Sequence, residues 1–131
     1  MARASATFVN ATYDEEPYDD RDGTLLGRIR IKRMFAGDLE GESSAVLLTA
    51  RTDAGSAAYV ALDRIAGRLG GREGSFVLQH HRTVSSAGAI TEASVVPDSA
   101  SGELAGLRGH GSISVAEDGT HTLTLEYEFA R

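Results

Sequence analysis

Four side chains on two adjacent stretches offer this chain its most plausible chemistry: Tyr59, Asp63, His80 and Arg82. The stretches flank Gly70-Gly71, and Gly-Gly suits a two-residue primed hairpin turn. Such a turn pairs Leu69 with Arg72, Ile65 with Phe76, Asp63 with Leu78, Ala61 with His80 and Tyr59 with Arg82. Directly opposed residues lie on one side of a sheet. All four polar residues then share a face with Ile65, Phe76 and Leu78, apolar near the turn and polar farther away. His80 and Asp63 become diagonal neighbours, about 7 Å apart or less. A carboxylate at that distance orients an imidazole and favours its charged form. The pattern points to His80 as general acid/base, Asp63 as its orienter, and Tyr59 or Arg82 as stabiliser of developing negative charge. The competing reading is a buried polar pair that only satisfies itself. A three-residue loop or a bulge would shift the register and undo the geometry.

These positions need strands, and period-two alternation runs through the chain. Leu25, Ile29, Ile31 and Phe35 share one phase, against Arg28, Arg30 and Lys32 in the other. Leu123, Leu125, Tyr127 and Phe129 repeat the pattern against Thr122, Thr124, Glu126 and Glu128. That period builds a sheet with one buried and one wet face. Turn signals at Asp22-Gly23, Ala36-Gly37, Asp53–Ser56, Gly70-Gly71, Ser85–Gly88, Pro97–Gly102 and Asp118-Gly119 divide the chain into eight strands. They are expected near Ala4–Tyr13, Thr24–Phe35, Asp38–Arg51, Ala57–Leu69, Glu73–Val84, Ala89–Val96, Leu104–Val115 and His121–Ala130. No helical period separates them, so parallel crossovers are not expected. The fold expected is an all-β, eight-stranded antiparallel up-and-down barrel, whose closure would remove sheet edges. A sandwich is the alternative.

In the last hairpin, a three-residue loop Asp118–Thr120 pairs Ile113 with Leu125 and Gly111 with Tyr127, and so covers a glycine with a ring. A two-residue turn would instead pair His110 with Tyr127. The first is preferred, and it sends Arg108 and His110 to the surface. An apolar ligand would then meet Phe76, Leu78, Ile65, Tyr127 and Leu125.

Composition narrows the classes. The 131 residues fit one domain, and the absence of Cys removes disulfides, thiolate metal sites and Cys nucleophiles. A net charge of −6 disfavours a nucleic-acid groove. No apolar run approaches the length of a membrane helix, and the N-terminus MARASATFVN lacks an apolar signal core. A cytoplasmic protein with no membrane partner is expected, and a homo-oligomer stays open. No metal is expected: His80 and His81, as strand neighbours, point to opposite faces, and neither HxH nor HExxH occurs. Gly106–Gly111 lacks the dinucleotide-binding order, and Ser43, Ser44 and Ser75 lack a nucleophile-elbow context. No cofactor is implied. The run DEEPYDDRD reads as a wet loop, and Asp38, Glu40 and Glu42 as a solvated stripe.

Several segments resemble a bacterial family of uncharacterised small proteins with an allene oxide cyclase-like β-barrel. They are Asp14–Tyr18, Gly37–Ser43, Gly74–His80, Val95–Pro97 and Ser101–Gly111, in that family's order. The resemblance implies a closed barrel with an internal pocket and carries no activity of its own. The chain departs from the family pattern at Asp63, usually Glu, and at His81-Arg82, usually Glu-Gly. Tyr13, and the region of Ala93 and Ser94, stand where family members usually carry aromatic rings, commonly Trp. Smaller residues there imply a roomier interior. Two function classes follow. One is a cofactor-free cyclase or isomerase acting on a largely apolar metabolite, as in a biosynthetic pathway. The other is a non-catalytic carrier or sensor of such a ligand. A ring packed solid with side chains is the third, bland reading.

Overall fold

The computed structural model of the chain describes residues 1–130. Its strands are β1 (Ala2–Arg21), β2 (Thr24–Gly37), β3 (Leu39–Thr52), β4 (Ala57–Leu69), β5 (Arg72–Ser85), β6 (Gly88–Val95), β7 (Ser101–Gly102), β8 (Leu107–Val115) and β9 (His121–Phe129). They form one antiparallel sheet in the order β4-β3-β2-β1-β9-β8-β6-β5-β7, and an added β4–β5 pairing closes it in a ring. The alternation in β2 is realised: Ile29, Ile31, Arg33 and Phe35 are buried, while Arg28, Arg30, Lys32 and Met34 are exposed. No helix of the structure is long and apolar enough to cross a membrane.

The β4–β5 register is the expected one, with Ile65 opposite Phe76, Asp63 opposite Leu78, Ala61 opposite His80 and Tyr59 opposite Arg82. Gly70 and Gly71 hold φ of 56° and 84°, the two positive values that a type I′ turn demands. An added Cβ at Gly71 would meet nothing within 4 Å. Gly71→Ala therefore isolates backbone strain, and urea unfolding should show a loss of about 1–2 kcal/mol. An unchanged stability would mean that the turn relaxes freely.

Four expectations are corrected. The acidic stretch after Tyr13 is not a loop, because β1 continues to Arg21. It lies along β2 and carries register shifts at Asn10/Thr12 and Pro17/Asp19. Cross-strand ion pairs support a run of weak strand formers: Arg28 reaches Glu16 at 3.0 Å, and Arg51 reaches Glu15 at 3.2 Å. Second, closure does not remove every edge. The β1–β9 ladder stops at Phe8, opposite His121, so the charged remainder of β1 keeps one edge without a ladder partner on that side.

Third, there are nine strands rather than eight. β6 leaves β5 at Val95, and Pro97, which has no N–H to give to a ladder, lies in the departing segment. Ser101–Gly102 then rejoins β5 opposite Ser75 and Gly74. Leu104, expected in the next strand, lies in a turn with its side chain sunk in the core, 1% exposed. Fourth, the last hairpin pairs Ile113 with Leu123, Gly111 with Leu125 and Gly109 with Tyr127. The loop is longer than expected because Ala116–Gly119 forms its own turn, with the Gly119 N–H donating to the Ala116 carbonyl at 2.9 Å. The offset is two residues, so the faces survive: Arg108 and His110 are exposed, and Leu125 is buried.

The ring is unevenly filled. At the end holding the Gly70-Gly71 turn, Phe76, Ile65, Leu39, Leu69, Leu104 and Leu125 pack with 0–2% exposure into an apolar plug. A smaller cluster of Ile29, Ile31, Ala45, Leu47 and Ala61, with Tyr59 against it, lines part of the other half. Gly41 and Gly67 face each other across β3 and β4. A Cβ on Gly67 would collide with the Glu40 carbonyl, and one on Gly41 with the Ala66 carbonyl. Glycine is required here by the close approach of two backbones.

Candidate functional site

Strand parity sets the interior. Tyr59, Ala61, Asp63 and Ile65 project inward from β4; Phe76, Leu78, His80 and Arg82 project inward from β5 opposite them. Moving away from the plug, the apolar filling gives way to a buried polar layer of Arg33, Ser43, Asp63 and His80. Beyond it stand Tyr59 and Arg82, both half-buried.

The layer is connected. The Arg33 guanidinium donates through Nη1 to Asp63 Oδ2 at 3.0 Å, with both side chains almost fully enclosed. Arg33 also lies 5.1 Å above the Phe8 ring and donates from Nε to Asn10 Oδ1 at 3.4 Å. His80 Nε2 lies 3.7 Å from the same Asp63 oxygen, beyond hydrogen-bond length but within ion-pair reach. His80 Nδ1 and the Tyr59 hydroxyl are 3.2 Å apart, and their rings meet edge to face at 5.5 Å. The result is a chain Arg33–Asp63–His80–Tyr59.

Charge is set by this packing. Burial pushes the Asp63 carboxyl up, but His80 and the Arg33 guanidinium more than offset it, so the carboxyl titrates below its ordinary value and stays ionised. Burial raises the Tyr59 phenol, and the nearby cations Arg33 and Arg82 only partly counter that. Tyr59 thus keeps its proton through the neutral range.

Tyr59 and Arg82 open on a cavity of about 200 Å³ whose other walls include Ile29, Leu47, Arg51 and Val84. The buried atoms Ser43 Oγ, Asp63 Oδ1, His80 Nε2 and Arg82 Nε have no hydrogen-bond partner among the described residues. Buried polar atoms are normally paired, so this layer carries unspent bonding capacity. Ser43 helps to hold the Asp63 carboxyl down, and Ser43→Ala removes its hydroxyl while Arg33 and His80 still face that carboxylate. Its unfolding free energy should stay within about 1 kcal/mol of wild type, and a larger loss in chemical denaturation would show that Ser43 is engaged.

The four residues singled out for chemistry, Tyr59, Asp63, His80 and Arg82, are brought together. The residues expected to touch a ligand lie elsewhere. Phe76, Leu78, Ile65 and Leu125 are 0–1% exposed within the plug, and Tyr127 stands against Phe129; none of them lines the 200 Å³ cavity. Arg33 was not anticipated. The signal was present, since Arg33 interrupts the buried phase of Ile29, Ile31 and Phe35 with a charge. Ser43 likewise shares the phase of Leu39, Ala45 and Leu47. His81 points outward, with Nε2 3.4 Å from Glu92 Oε2.

A larger recess, of about 900 Å³, lies on the outer side of the ring, where Val46, Leu48, Val60 and Leu62 are exposed. Its walls are mostly apolar, but Gln79, His81, Glu92 and His110 also line it, and His80 of the polar layer borders it.

Comparison with known proteins bears on the whole chain. A crystal structure of a protein of unknown function from the DUF3224 family, from Shewanella oneidensis MR-1, is similar to it at 34% identity, with a TM-score of 0.85. The match covers 100% of this chain and 98% of that one. No curated protein matches. The sequence also matches the family described as "Protein of unknown function (DUF3224)" over residues 4–127. With most of its length matched in sequence and all of it in structure, the chain belongs to the DUF3224 family.

Proposed function

We propose that the protein is a cofactor-free cyclase or isomerase acting on a small, largely apolar metabolite at the open end of the ring. The reading treats the ring as a barrel of the allene oxide cyclase-like kind, plugged at one end. The observation that carries it is the buried Arg33–Asp63–His80–Tyr59 chain ending at an apolar cavity. Structural polar clusters are normally self-satisfied; this one leaves buried atoms of Asp63, His80 and Arg82 unpartnered beside a cavity that Tyr59 and Arg82 line.

The roles follow from position. Tyr59 donates to a substrate oxygen as negative charge develops there, and Arg82 stabilises the same charge. His80 stands behind Tyr59 and passes a proton to the phenolate if Tyr59 gives its own away. Asp63 orients the imidazole, and Arg33 helps to keep Asp63 ionised. The proton returns by the same path once the ring has closed, so substrate and product have the same composition. The apolar walls exclude water and hold the substrate folded. At about 200 Å³ the cavity is smaller than the roughly 300–1,000 Å³ of drug-sized sites. It suits a small metabolite or the reacting end of a longer one.

The carrier reading rests on the same cavity and needs no proton path. Incubation with apolar unsaturated ketones and epoxides, followed by chromatography and mass spectrometry, separates the two. A product of unchanged mass, formed after dialysis against chelator, supports catalysis. Saturable binding with every ligand recovered intact supports a carrier.

A further inference from the structure

Charge does not balance around the interior cavity of about 200 Å³. Two arginines line it, Arg51 and Arg82, and no carboxylate does. The other polar groups on its wall, Tyr59 and Thr49, are hydroxyls able to donate. Arginines drawn out of water are normally paired. Arg33 and Arg51, on the inward phase of β2 and β3, obey this, with Asp63 at 3.0 Å and Glu15 at 3.2 Å. Arg82 does not. It is half-buried, forms no ion pair with any described residue, and has its Nε enclosed without a partner. The residues opposite it on the neighbouring strands are Tyr59 and Thr91, and neither supplies a negative charge. Its same-face neighbours along β5, His80 and Val84, supply none either. Two guanidiniums at the cavity thus meet one carboxylate, in a chain whose net charge is −6.

We infer that this cavity takes the carboxylate of a small apolar acid, with Arg82 as its counter-ion. The inference deepens the proposed function: it rests on the same cavity and names the charge of the ligand. One unmatched guanidinium calls for one negative charge, which favours a carboxylate over the dianion of a phosphate monoester. Guanidinium and carboxylate also match in shape, as planar groups that share two hydrogen bonds. Ile29, Leu47 and Val84 on the same wall suit the hydrocarbon part of the acid. The acidic surface of the chain does not prevent entry. Its exposed charges are screened beyond about 8 Å at physiological salt, whereas an enclosed pair is screened much less. A guanidinium carries several N–H donors, so Arg82 holds the carboxylate and keeps a donor for the oxygen at Tyr59.

Octanoate and octanamide test the inference, because they share a chain and a planar head and only the acid is charged. Each is titrated at neutral pH into isotope-labelled protein and followed by NMR. Octanoate should bind about tenfold or more tightly than octanamide, with shifts centred on Tyr59, Arg82 and Val84. Arg82→Gln should remove the preference, and Arg82→Lys should keep part of it, which separates lost charge from lost packing. Arg108→Gln, at an exposed position outside the cavity, should leave it intact. Equal binding of acid and amide overturns the inference. So does an absence of octanoate binding at about 10 mM, a preference that survives Arg82→Gln, or shifts confined to the outer recess. If Arg82→Gln fails to fold, the wild-type preference and the place of the shifts still decide. Neither probe needs to react, so the result is independent of turnover. A cavity that prefers the acid but converts no ketone or epoxide keeps this inference and removes the enzyme reading; equal binding with turnover does the reverse.

Discussion

Tyr59→Phe and His80→Ala should each lower turnover about 10²- to 10⁴-fold, the usual contribution of a positioned general acid or base. The two changes strike different links. Tyr59→Phe leaves the ring and its edge-to-face packing on His80 but removes the hydroxyl 3.2 Å from His80 Nδ1. Its loss should fall on kcat, since a donor to developing charge acts mainly in the transition state. His80→Ala removes the group behind the phenol and leaves Tyr59 a donor with no proton supply. The double variant should be little worse than the worse single one, because residues acting as a unit are strongly non-additive. Steady-state kinetics on any converted substrate would check this. Unchanged kinetics in both single variants would remove the chain from the mechanism.

Asp63→Ala should be the most costly change in stability. Asp63 and Arg33 are an enclosed pair 3.0 Å apart, with side chains 1% and 7% exposed. Removing the carboxylate strands a guanidinium inside the ring, at a cost of about 3–5 kcal/mol. Asp63→Asn keeps the shape but not the charge and should also destabilise. Replacing Asp63 and Arg33 together by apolar residues should recover much of the loss, because a buried pair often breaks even against good packing. Thermal unfolding of the three variants gives the comparison. If Asp63→Ala unfolds at the wild-type temperature, Arg33 must find water or another partner at no cost.

The same pair sets an acid dependence. The native Asp63 carboxyl titrates below its unfolded value, so the unfolded chain binds the proton more readily. The contribution is then complete above the unfolded carboxylate range and fades as pH falls through the lowered native value. Wild type should lose this part of its stability on acidification, and Asp63→Asn should not show that part of the slope.

Much of the site was legible in the sequence because a single turn determines it. Gly70-Gly71 admits both positive φ values, so the register of β4 on β5 follows, and with it the shared face of Tyr59, Asp63, His80 and Arg82. The last hairpin resisted the same logic. Asp118-Gly119 is part of a turn that begins at Ala116, and local turn chemistry did not reveal where the ladder resumes. The continuation of β1 through acidic residues was hidden because its support comes from arginines on other strands, Arg28 and Arg51. The filling of the ring was not legible for a different reason. Alternation shows that Phe76 and Ile65 face inward, but not whether the interior is filled at their level. That depends on Leu104, which reaches the core from a turn rather than a strand.

The most direct measurement is a crystal structure of the protein with a substrate or inert analogue bound. The predicted position is the open end of the ring, with a ligand oxygen about 2.6–3.2 Å from the Tyr59 hydroxyl and the apolar body against Ile29, Leu47 and Val84. A ligand seated instead in the outer recess beside Val46 and Leu62, with the Tyr59 hydroxyl untouched, would contradict the account.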